Sequence, residues 1–97
     1  MRQGELTTNP TYKNITAATT HYLKTGAGSL HRIIINNPLP AITMVVYDST
    51  TAGGTTIATI TLGAKAVSPI TLEFGAPFSE GLTVTLDTIS DVTFIYE

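Results

Sequence analysis

Two histidines, His21 and His31, are the side chains best suited to proton transfer or metal ligation, and they stand ten residues apart. Zinc takes three or four ligands, commonly with close pairs on one rigid element and often with thiolates among them. The chain has no cysteine, which excludes a thiolate site and a disulfide framework. The two histidines therefore read as structural. No Gly-x-Ser-x-Gly elbow, His-Glu-x-x-His pair or phosphate-binding glycine loop is present, so nucleophilic, zinc-hydrolytic and nucleotide chemistry lack their usual scaffolds. Gly26-Ala27-Gly28 has no helix after it that would hold a pyrophosphate at its N-terminus. Asp87 and Asp91 bracket Thr88-Ile89-Ser90. A carboxylate pair for glycoside hydrolysis needs a cleft with a sugar platform, and there is no tryptophan among four tyrosines and three phenylalanines. Asx side chains cap turns through nearby backbone N–H groups, which accounts for both aspartates. The expectation is a protein that is not an enzyme, with no catalytic residue, cofactor or metal site.

The elements that would position any site are strands. Threonine occupies 19 positions; its branched Cβ suits a pleated surface and its hydroxyl suits a wet one. In Leu82-Thr83-Val84-Thr85-Leu86 every second residue is apolar, and Ile70-Thr71-Leu72-Glu73-Phe74 and Val92-Thr93-Phe94 repeat the rule. Period two marks half-buried antiparallel strands. Strands are predicted near 13–17, 19–25, 30–36, 41–48, 55–62, 70–74, 82–87 and 91–97. Asn37-Pro38-Leu39-Pro40, Gly53-Gly54 and the segments 63–68 and 75–81 separate them. Seven or eight short strands at this spacing predict an all-β antiparallel sandwich of jelly-roll type. Residues 1–18 show little alternation and are read as an N-terminal arm, with residues 19–97 as the sandwich domain.

Composition narrows the function classes. With 97 residues, 42% of them hydrophobic and 12% charged, the chain fits one small domain and is too apolar for a disordered one. Such a domain buries only about 60–65% of its unfolded surface, so oligomerisation is a natural supplement. Its mean hydropathy of +0.23 is high for a lone soluble domain. The net charge of −2 argues against a nucleic-acid binder, which is normally basic. The charge is uneven: residues 1–48 carry +2 and residues 49–97 carry −4. Residues 1–12 are polar and lack the apolar core of a signal peptide, and no apolar run reaches 18 residues. No membrane or nucleic-acid partner is expected.

Three segments break the apolar-in, polar-out rule. Ile33-Ile34-Ile35, Met44-Val45-Val46-Tyr47 and Phe94-Ile95-Tyr96 are apolar at both parities. With Ile33, Ile35, Ile42, Met44, Val46, Val92, Phe94 and Tyr96 facing the core, Ile34, Val45, Tyr47 and Ile95 face outward. Covering such side chains is worth roughly 1.5–3 kcal/mol each, and left open they invite β-zipper pairing. Ile34, Val45, Tyr47 and Ile95 are therefore the expected oligomer interface.

Gly28-Ser29-Leu30-His31-Arg32-Ile33-Ile34-Ile35-Asn36, the segment Val46 to Thr55 with Ile57-Ala58-Thr59-Ile60, Phe78 to Val84, and the terminal Asp91 to Glu97 together resemble small virion structural proteins of tailed bacteriophages. The resemblance covers about residues 20–97 and carries no catalytic signature. It implies a capsid decoration or cement protein, a homotrimer bound to the major capsid protein on the outer shell, assembled in the host cytoplasm. Arg2 and Lys13 on the arm are the expected capsid contacts. A carbohydrate- or receptor-binding module of a tail or fibre, using tyrosines such as Tyr12, Tyr22 and Tyr47, is the alternative, and a head–tail junction component a third.

Overall fold

The computed structural model describes residues 10–36, 41–62 and 69–97. Eight strands follow one another: β1 (Thr11–Ile15), β2 (Thr20–Thr25), β3 (Gly28–Ile35), β4 (Ile42–Asp48), β5 (Thr55–Leu62), β6 (Ile70–Phe78), β7 (Gly81–Leu86) and β8 (Val92–Tyr96). There is no helix among the described residues. The strands form two four-stranded sheets, β1-β8-β3-β6 (sheet 1) and β2-β7-β4-β5 (sheet 2), with antiparallel pairing throughout.

The pairings β1 with β8, β2 with β7, β3 with β6 and β4 with β5 are those of one long hairpin folded back on itself. Rolling that hairpin so that β8 also meets β3 and β7 meets β4 closes the two sheets. This is the jelly-roll arrangement, and it makes the fold the all-β antiparallel sandwich that the alternation predicts. Short links such as Thr16–Thr19 and Asp87–Asp91 cross from sheet to sheet, so consecutive strands lie over one another. The edges β1 and β2 thus share one side of the sandwich, and β5 and β6 share the other.

Between the sheets lies one core. Leu30, Ile33, Ile35, Val92 and Phe94 come from sheet 1, and Met44, Val46, Leu82 and Val84 from sheet 2, all with no exposed surface. Parity explains all of these but Leu30: Ile33 opposes Phe94, Ile35 opposes Val92, and Val46 opposes Val84, and directly opposed residues share a face. The Tyr96 hydroxyl donates to the Leu23 carbonyl at 3.2 Å, tying sheet 1 to sheet 2. On the β5/β6 side the core thins, where Ile57, Ile60, Ile70, Leu72 and Phe74 are only partly buried.

Several strand limits differ from those expected. Strand β6 runs four residues past Phe74, because Gly75 at φ +62° makes the irregularity that lets the pairing resume. Ala76 then opposes Leu30, whereas Glu73 opposes Arg32. Pro77 is tolerated because β6 is an edge, where a missing N–H interrupts no ladder. A second shift, in the pairing of β3 with β8 between Leu30 and Arg32, leaves one extra residue on β3 and so puts both Leu30 and Ile33 inward although they differ in parity. Gly28 has no room for a Cβ, which would strike the Glu97 backbone. Thr11–Ile15, assigned to the arm from sequence, is a full edge strand with Ile15 buried. The sandwich therefore includes residues 11–18, and residues 1–9 lie outside the described residues.

Candidate functional site

Each sheet presents one outer face to its surroundings, and the register fixes which side chains stand on it. On sheet 1, one row runs Tyr12–Ile95–Arg32–Glu73 and the next Asn14–Thr93–Ile34–Thr71 across β1, β8, β3 and β6. This face is held by side chains bonded to each other. The Asn14 amide donates to Asp91 Oδ1 at 2.6 Å and to Thr93 Oγ1 at 3.1 Å. From the other flank the Asn36 amide donates to the same two oxygens at 3.2 and 3.1 Å. One carboxylate and one hydroxyl on β8 or beside it thus fasten β1 and β3 on either side. Arg32 Nε lies 3.4 Å from Glu73 Oε2, both well exposed, a pair of little energetic weight. Tyr12 closes the face with its ring 72% exposed.

The outer face of sheet 2 is different. Its rows run Thr20–Thr85–Val45–Thr59 and Tyr22–Thr83–Tyr47–Thr56, with Thr43 opposite Thr61 beyond them. Seven threonines, two tyrosines and a valine make ten residues without a charge. Thr83, in the second row, is fully buried, and its hydroxyl donates to the Ser49 carbonyl at 2.7 Å. Tyr22 beside it is 67% exposed.

At one end of sheet 2, Asp48 anchors a turn. Its carboxylate accepts the Glu80 N–H at 2.8 Å and the Ser79 N–H at 3.0 and 3.1 Å. Those N–H groups, Glu80 first and Ser79 next, hold the Asp48 carboxyl below its ordinary 3.8. Asp87 accepts the Thr43 N–H at 2.8 Å and the Thr88 hydroxyl at 3.0 Å, so it caps its own turn and also reaches β4. Asp91 departs from the turn-cap expectation, since its carboxylate ties three strands of sheet 1 together.

The four residues expected to form one oligomer interface do point outward, but they are not brought together. Ile34 and Ile95 stand on sheet 1, while Val45 and Tyr47 stand on sheet 2, on the opposite side of the molecule. All four are half-buried. Their cross-strand neighbours cover them in part: Tyr12 and Arg32 flank Ile95, and Thr85 and Thr59 flank Val45. Lys13 sits exposed on β1 opposite Phe94, and Arg2 lies outside the described residues. His21 Nε2 is 2.8 Å from the Ala17 carbonyl, on sheet 2. His31, on sheet 1, has its Nε2 3.4 Å from Glu97 Oε2. The histidines thus serve separate local contacts, and among the described residues no group of three or more His, Cys, Asp or Glu converges to hold a metal. What sequence reasoning missed is the Asn14–Asp91–Asn36 network and the Asp48 clamp, whose partners are 31 to 77 positions apart.

No family model matches the chain, and no curated protein matches it. Among solved structures it is similar to a chain from a structure of Bacillus endospore appendages, described as a family of disulfide-linked pili. The TM-score is 0.53 at 16% identity, over 91% of this chain and 80% of that one. At that identity the likeness bears on the fold alone, and it agrees with the sandwich architecture.

Proposed function

We propose that this protein is a structural subunit of a tailed-bacteriophage virion: a capsid decoration or cement protein that binds the major capsid protein on the outer shell as a homo-oligomer. The observation that carries the reading is the outer face of sheet 2. Soluble surfaces ordinarily intersperse charges of both signs, whereas the nine solvent-reaching residues of this face, with the buried Thr83 among them, carry none. A face of that kind can meet another protein without desolvating an ion, the expensive step in burying a surface. The second support is the resemblance of residues 20–97 to phage virion proteins. The appendage neighbour supports only the coarser part, that a sandwich of this kind serves as a structural unit. Its disulfide linkage has no counterpart in these 97 residues, which hold no cysteine.

The mechanism is mass action on an assembled surface. An oligomer touching several capsid subunits at once turns weak single contacts into strong attachment, by a factor of about 10²–10⁴. Because it binds only the assembled shell, it shifts the equilibrium toward that state. On this reading Lys13 on β1, with Arg2 before it, meets an acidic capsid surface. Mixing the full chain with expanded and unexpanded tailed-phage capsids tests the proposal. Saturable binding to expanded shells alone is the expected result, and binding to neither overturns it.

A second reading, glycan or receptor binding by a tail or fibre component, is favoured by one feature of sheet 1. The exposed Tyr12 ring stands two residues from Asn14, whose amide belongs to a preformed polar network. Aromatic stacking beside fixed hydrogen-bonding groups suits a sugar. Glycan-array binding that is lost in Tyr12→Ala would favour this reading over decoration.

A further inference from the structure

The four edge strands are not alike. A free edge presents unpaired N–H and C=O groups to any other strand, and natural sheets blunt their edges with charge, proline, bulges or short length. Strand β1 is five residues long and carries Lys13. Strand β2 is six residues long, carries Lys24 and shifts register between Tyr22 and Lys24. Strand β6 carries Glu73, Pro77 and the positive-φ Gly75.

Strand β5 has none of these devices over most of its length. Its eight residues, Thr-Thr-Ile-Ala-Thr-Ile-Thr-Leu, include no charge, proline or glycine. Its register shift, at Ile57, leaves Ala58–Leu62 in unbroken pairing with Ile42–Val46. The pattern is that of a segment ready to add a strand. It is also the edge of sheet 2, so the charge-free threonine face runs out to it.

We infer that β5 is a self-association edge: two copies pair their β5 strands antiparallel about a two-fold axis, fusing both sheets 2 into one eight-stranded sheet. The occupant follows from the comparison of edges. The other three edges of a second copy are guarded, which leaves β5 as the partner β5 can accept, and like pairing with like is two-fold by symmetry. Charge agrees. Two copies that each carry −2 repel on approach, and this edge lets them join without placing charge against charge. With the axis near Ile60, Thr59 of one copy stands across from Thr61 of the other on the continuous outer face.

The inference deepens the assembly reading but fails separately from it, because it concerns the free chain and not the shell. A two-fold contact gives a dimer, whereas the trimer implied by the phage resemblance needs a heterologous one. Sedimentation equilibrium of the full chain should therefore find a dimer. Thr59→Lys with Thr61→Lys places like charges across the junction and should give a monomer with an unchanged circular dichroism spectrum. Thr59→Glu with Thr61→Glu should likewise be monomeric. Mixing the two variants should restore a two-chain species, which a folding defect could not do. A wild-type chain that is a monomer at about 1 mM, where even a millimolar Kd shows, overturns the inference. So does a wild-type trimer, or a lysine variant that keeps the dimer.

Discussion

The outer faces of the two sheets obey the same alternation and yet differ in kind. On sheet 1 the outward side chains include Asn14, Thr93, Arg32 and Glu73, which with the flanking Asp91 and Asn36 form hydrogen bonds and an ion pair beside Tyr12, Ile34, Ile95 and Thr71. On sheet 2 they hold threonines with Val45, Tyr22 and Tyr47, and no ion at all. A face whose polar groups are satisfied internally has less to offer a partner, and what it contributes is stability. A charge-free face with an unguarded edge contributes less internally and is open to association. On the proposed reading, the difference separates a side that holds the fold from a side offered to a partner.

The largest change tests whether the two faces share one core. Phe94 is fully buried between the sheets, and Phe94→Ala should cost about 3–5 kcal/mol, most of the stability of a domain this small. Denaturant unfolding followed by tyrosine fluorescence and far-ultraviolet dichroism should remain a single coincident step. Two separated steps would break the picture of one body with two faces. Next in size is the sheet 1 network. Asp91→Ala removes the acceptor for two amides and should cost about 1–2 kcal/mol, with faster amide exchange in Thr11–Ile15. On sheet 2, Thr85→Ala removes an outward, half-buried hydroxyl that no strand depends on, and should change monomer stability by no more than about 0.5 kcal/mol. A larger loss there than at Asp91 would invert the comparison.

A pH-dependent effect is expected of the Asp48 clamp. Its carboxyl titrates below the ordinary 3.8 when folded. The stability it contributes is therefore present above that ordinary value and is lost as pH falls through the lowered one. In melts taken from about pH 6 down to about pH 2, Asp48→Asn should start lower than the parent and fall less steeply. Parallel curves would remove the clamp from the account.

Much of this was legible in the sequence. Alternation in Leu82–Leu86 reveals a strand because its period is local, and parity in Ile42–Tyr47 tells Met44 from Val45. Parity says only which way a side chain points relative to its own strand. It cannot say that β3 and β4, neighbours in sequence, lie in different sheets, so the single cluster of Ile34, Val45, Tyr47 and Ile95 comes apart in three dimensions. The irregularity opposite Gly75 was hidden for a related reason, since one residue slipped in the ladder reverses parity with no local signal. Asn14 and Asp91 meet across 77 positions, a contact set by the rolled hairpin and not by spacing. The unguarded character of β5 was written in its composition, but it acquires meaning only once β5 is known to be an edge.

Amide hydrogen exchange of the full chain at low and high concentration tests the central claim most directly, since each edge strand reports on itself. Protection should rise with concentration in Thr55–Leu62 and stay constant in Thr11–Ile15, Thr20–Thr25 and Ile70–Phe78. Exchange independent of concentration everywhere, or new protection in one of those three strands in place of β5, would contradict it.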